Sequence, residues 1–129
     1  MRVLGFDIGK KRTGVALGDT ETGIAFPLDD ISGDTETLLR RICTLVKEEG
    51  AEACVVGVPY ATHQGSQQEG VETVIAQMSL LLGAVPIFCV DEAYTTREGR
   101  RLQEEGATSS DHALAAMLIL QEWMNTETR

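Results

Sequence analysis

Residues 2–19 read RVLGFDIGKKRTGVALGD: an apolar run over 2–8 with Asp7 near its end, a glycine-bearing turn over Gly9 to Arg12, and a second apolar run over 13–19. Two short apolar runs joined by so tight a turn predict a β-hairpin. A third extended piece, 23–31 (GIAFPLDDI), contains Pro27. Proline has no N–H to give to a ladder, so this strand belongs at a sheet edge or bulge. The chain therefore opens as a three-strand antiparallel meander.

From Asp34 the period changes. Leu38, Leu39, Ile42, Leu45 and Val46 recur at three- and four-residue spacing, Asp34 or Thr35 can cap the start, and Gly50 ends the helix. Residues 53–58 (ACVVGV) form a continuous apolar strand of the kind buried on both faces of a parallel sheet. PYATHQGSQQEG follows without apolar periodicity and reads as a mobile, functional loop. A second helix spans about 69–82 through Val71, Val74, Ile75, Met78 and Leu81 or Leu82, stopping near Gly83. Pro86 to Val90 predicts another buried strand, ending directly in Asp91-Glu92. A short charged helix over 95–105 and a last helix over about 110–124 complete the order, the last with Leu114, Ala115, Leu118, Ile119 and Trp123 available for burial. This order predicts an α/β fold: a five-stranded mixed sheet, the meander plus two parallel strands, with helices on both faces.

At 129 residues, 43% hydrophobic and 24% charged, the composition suits one domain over 1–129 that needs no disulfide or structural metal to fold. The first apolar run is too short for a secretory signal, and no stretch is long enough to span a membrane, so the expected location is the cytoplasm. Cys43, Cys54 and Cys89 lack C-x-x-C spacing and read as buried reduced thiols. A formal charge of −9 opposes loose binding to polyanions, yet Lys10, Lys11, Arg12 and Arg97, Arg100, Arg101 form two basic clusters, each beginning within a few residues of an acidic candidate.

Those acidic candidates stand out by context. Asp7 near the end of an apolar strand would carry a desolvation cost unless paired or bound to a cation. Asp91 and Glu92 follow the last apolar strand, and Asp111 opens the last helix. Strand ends of a parallel sheet are where such groups can meet, and converging carboxylates call for a hard divalent cation, Mg²⁺ or Mn²⁺. Taken singly each has a plainer role: Asp7 bonding turn amides, Asp91-Glu92 as an exposed strand end, Asp111 stabilising its helix dipole. Thr95 and Thr96 fit a helix cap as well as a substrate contact. His63 and His112 have no partner at metal-ligand spacing, and His112, beside Asp111, is a candidate to orient a metal-bound water.

Four segments together, GFDIGKKRTGVALGD, VVGVP, DEAYTT and DHALAAMLILQEW, resemble the YqgF/RuvX family in order and over essentially the whole chain. The resemblance implies a ribonuclease H-like fold related to the junction resolvase RuvC. It also implies a nuclease acting on structured RNA or branched DNA, by Holliday junction resolution or by pre-16S rRNA processing on ribosome precursors. By position it makes Asp7, Glu92 and Asp111 the catalytic metal ligands, with Asp91 as a further candidate. Lys11 and Arg12 match the family's basic turn and Thr95 and Thr96 its threonine pair; these residues and Arg97 are the candidate substrate contacts. The chain departs from the family pattern at Ala93, where an arginine is usual, at Gln64, where an aspartate is usual, and at Thr108, Ser109 and Ser110, where lysines are common.

Two other functions compete. A noncatalytic binding module would keep the fold and lose the chemistry at Ala93 and Gln64. A nucleotide-binding domain is the other, because D-I-G with a basic turn also resembles the first phosphate loop of actin-like ATPases, which bind nucleotide between two such domains. A monomer or weak homodimer is expected, since junction cutting needs two sites and end processing needs one.

Overall fold

The structure is a computed structural model, and it describes residues 1–58, 65–91 and 111–127, with residues 65–69 described by their backbone alone. Five strands form one sheet: β1 (Arg2–Ile8), β2 (Arg12–Asp19), β3 (Ile24–Ser32), β4 (Ala53–Val58) and β5 (Ile87–Asp91), in the order β3-β2-β1-β4-β5. The meander is antiparallel, while β4 runs parallel to β1 and β5 parallel to β4. The helices are α1 (Thr35–Glu49), α2 (Gly65–Leu82) and α3 (Asp111–Glu127). This is the mixed α/β architecture expected from the order of apolar runs.

Alternation along β1 divides the core in two. Leu4, Phe6 and Ile8 face one way, packing with Val15, Val56 and Val58 against Leu38, Ile42 and Val46 of α1 and Val71, Val74 and Met78 of α2. Val3 faces the other way with Ala16 and Val55, against Ala116, Ile119, Leu120 and Met124 of α3. β1 and β4 are covered on both sides, which is why β4 is apolar throughout and β1 is apolar but for Arg2 and Asp7.

Local chemistry sets the boundaries. The Gly9 N–H donates to the Arg12 carbonyl at 3.1 Å and closes the hairpin. Pro27 lies on the edge strand β3 opposite Ala16, and a bulge puts Asp29 and Asp30 where β2 has Gly14 alone. The Asp34 carboxylate accepts from the Thr37 N–H at 2.8 Å, and Gly50 ends α1 in the left-handed conformation, φ 62°.

Several expectations require correction or are settled. α2 begins at Gly65, four residues before the expected Glu69, because a first turn without apolar residues carries no periodic signal. Leu81 is 58% exposed and it is Leu82 that packs on the core. The strand read from Pro86 to Val90 as buried is instead the sheet edge, and its Phe88 and Cys89 are exposed. Of the thiols expected to be buried, only Cys54 is; Cys43 is half-buried. Burial pushes the Cys54 thiol up to about 12. The expected helix over 95–105 lies outside the described residues, as do residues 59–64 of the loop read over 59–70, while 65–70 are helical. No helix among the described residues is long and apolar enough to cross a membrane.

Candidate active site

Asp7 is one residue from the C-terminal end of the central strand, on the face that α3 covers, and it is only 5% exposed. Its antiparallel partner across the hairpin is Gly14. The first turn of α3 rests directly on that glycine: a Cβ at Gly14 would fall on the carbonyl of His112. Further along, a Cβ at Gly5 would lie 2.9 Å from Leu120 Cβ, and one at Gly18 would lie 3.0 Å from Leu120 and Met124 side-chain carbons. The α3 face of β1 and β2 thus contains a floor of glycine and alanine, and the helix lies close upon it. This close approach brings the His112 imidazole over Gly9, with Cε1 3.2 Å from where a Cβ there would stand, and sets its Nδ1 3.2 Å from Asp7 Oδ2.

Asp111, the first residue of α3, is exposed and immediately precedes His112. Its negative charge suits the positive end of the helix dipole. Asp91 ends β5 opposite Val58, two strands from β1, about 10 Å across the sheet at ordinary strand spacing. Its side of the strand is that of Ile87, which packs on the α1/α2 core, whereas Phe88 stacks near Trp123 of α3 with ring centroids 5.1 Å apart and Val90 packs on the α3 core. Asp91 therefore projects from the face opposite Asp7. Glu92, Ala93, Thr95, Thr96 and Arg97 lie outside the described residues, as do His63 and Gln64. Among the described residues no three His, Cys, Asp or Glu side chains come together as a metal-binding group.

Lys10 and Lys11 are exposed at the β1–β2 turn beside Asp7, and Arg12 sits 3.8 Å from Asp30. The sequence reading placed Asp7 and Asp111 on separate elements without showing what joins them. The contact between His112 and Asp7 was missed, although the glycines at 5, 14 and 18, facing one side once the hairpin register is known, were the available signal.

The family model described as "RuvX: Holliday junction resolvase" matches residues 1–126. The chain belongs to the RuvX family. Within that family's curated relatives, the "Putative pre-16S rRNA nuclease" of Pelotomaculum thermopropionicum is 35% identical over 139 residues, covering 100% of this chain and 90% of the relative. The protein of the same name from Roseiflexus is 33% identical over 135 residues, covering 98% and 95%. Among solved structures, Thermus thermophilus RuvC in complex with a Holliday junction substrate superposes on this RuvX-family chain with a TM-score of 0.73 at 14% identity, over 99% of this chain and 96% of RuvC. At that identity the likeness speaks for the fold, the ribonuclease H-like arrangement expected from the motifs.

Proposed function

We propose that this protein is a divalent-metal-dependent nuclease of the cytoplasm that hydrolyses phosphodiester bonds in structured nucleic acid, with precursor 16S rRNA as its substrate. The observation that carries the reading is the buried Asp7 carboxylate at the end of the central strand, set against the first turn of α3 in a chain related along its length to proteins named as pre-16S rRNA nucleases.

The residues present fit a hard cation. Asp7 Oδ2 faces His112, and Oδ1 has no hydrogen-bond partner among the described residues. A buried carboxylate oxygen without a donor is costly, and a cation removes that cost. Asp7, Glu92 and Asp111 would hold Mg²⁺ or Mn²⁺ through oxygen ligands. Asp91 is left out of this set because it projects from the other face; Glu92 enters it by its place in the family motif alone.

A bound divalent ion supplies Lewis-acid stabilisation of the phosphate and a more acidic water. The chain's own part is to hold the phosphodiester in place. Lys11 and Arg12 at the turn beside Asp7 would contact its phosphates, with Thr95, Thr96 and Arg97 as further contacts assigned from sequence position. His112 would keep Asp7 in one orientation.

The family description and the RuvC complex favour a second reading, cleavage of four-way DNA junctions by a homodimer with two sites. A monomer suffices for rRNA end processing. The test incubates the protein and Asp7→Asn with a precursor rRNA fragment, single-stranded RNA and a four-way junction in Mg²⁺ or Mn²⁺. Precursor RNA cut only with metal and only by the parent protein is the expected result. Junction cleavage by a solution dimer would select the second reading. Cleavage that survives Asp7→Asn would reject the site, and binding without cleavage in either metal would make the protein a binding module.

A further inference from the structure

On the sheet face opposite Asp7, between the β1–β2 turn and helices α1 and α2, lies a cleft of about 170 Å³. Its walls are aliphatic, with Ile8, Ile31, Leu38, Val71 and Val74, while Lys10 and Lys11 stand on its rim. Neither lysine forms an ion pair among the described residues, whereas the nearby acids are engaged: Asp34 caps α1 and Asp30 faces Arg12. An apolar hollow with cations at its mouth complements a small apolar ring joined to an anion. An engineered cavity of about 150 Å³ admits benzene, so this cleft is on the scale of one aromatic ring. We propose that the cleft binds a single pyrimidine nucleotide of the substrate strand, its base against Leu38, Val71 and Val74 and its phosphate at Lys10 and Lys11. The inference rests on the nuclease reading for the origin of that nucleotide.

The test uses the full chain in EDTA, so that the outcome is independent of the carboxylate site, with UMP, uridine and inorganic phosphate titrated by calorimetry and by amide NMR. UMP is expected to bind about tenfold or more tighter than either fragment, the scale of one charge-assisted hydrogen bond, with shifts gathered at Gly33, Leu38, Gly70 and Val71. Gly70 lines the cleft and a Cβ there meets nothing within 4 Å among the described residues, so Gly70→Leu sets an added side chain at the cleft. This variant should melt no lower than the parent, since leucine favours the helix over glycine, and should lose about tenfold or more of UMP affinity. Lys10→Ala with Lys11→Ala should bring UMP down to the level of uridine. Phosphate binding as tightly as UMP, or a Gly70→Leu protein that binds UMP like the parent, would overturn the proposal. A protein that binds UMP in this way yet cuts no nucleic acid would refute the nuclease reading alone, and a metal-dependent nuclease that ignores UMP would refute the cleft alone.

Discussion

The imidazole Nδ1 of His112 stands 3.2 Å from Oδ2 of Asp7, 105 positions away in sequence. The pair joins the end of the central strand to the first turn of the last helix. An ionised carboxylate only accepts hydrogen bonds, so the imidazole donates through Nδ1 and holds one oxygen of Asp7 in place. Partners that orient a ligand typically change metal affinity by about 10–100-fold when removed. His112→Ala is expected to weaken Mn²⁺ binding on that scale, read by calorimetry or by the EPR signal of free Mn²⁺. Loss of the imidazole also strips buried Asp7 of its hydrogen bond, so the melting temperature of the metal-free protein should fall as well. Unchanged Mn²⁺ affinity would remove His112 from the site.

Two glycines of this chain should respond to alanine in opposite directions. Gly14→Ala forces a methyl group into the His112 carbonyl and must lift the start of α3, at a cost of about 1–3 kcal/mol on the scale of overpacked cores. Gly70→Ala adds a methyl in open space inside α2 and should stabilise by about 0.8–1 kcal/mol through helix propensity. Urea unfolding of both variants measures the two signs, and a neutral Gly14→Ala would mean that α3 does not rest on β2 as described.

Asp34 links α1 to pH. Hydrogen bonding by the Thr37 amide holds its carboxyl below the ordinary carboxylate range. A depressed folded-state value means the contribution is present above the unfolded-state value and lost as pH falls through the folded one. Asn caps helices as well as Asp but does not titrate here. The melting-temperature gap between the parent and Asp34→Asn is therefore expected to shrink as pH drops from 7 to 3; a constant gap would contradict the cap's electrostatic role.

The three thiols should separate by reactivity. Exposed Cys89 is expected to react first with a thiol reagent at pH 8, half-buried Cys43 more slowly, and buried Cys54, pushed up to about 12, only on unfolding. Mass spectrometry of the labelled protein against time gives the order, and early labelling of Cys54 would show that β4 is not sealed on both faces.

Much of the fold was legible because its signals are local. The turn at Gly9 to Arg12, the cap at Asp34, the left-handed stop at Gly50 and the apolar run of β4 each act within a few residues. Lateral order is a property of the whole sheet, so an apolar Ile87–Val90 could be read as a strand but not as an edge. The candidate site divided in the same way. Asp7 was conspicuous as a charge in an apolar strand, whereas its contact with His112 depends on Gly14 being its cross-strand partner, which only the register reveals. Asp91 was visible as a strand-end acid, but which face it takes depends on a parity that the apolar run Ile87–Val90 alone does not display.

The long sequence separation of the Asp7 pair also bears on how the protein is made. At roughly 5–20 residues per second, a ribosome adds the helix bearing His112 on the order of five to twenty seconds after Asp7. Until that helix emerges and docks on its glycine floor, the early carboxylate has no counterpart. Any enzyme assembled around the pair stays silent until that moment, beside the ribosomal RNA of the machine producing it.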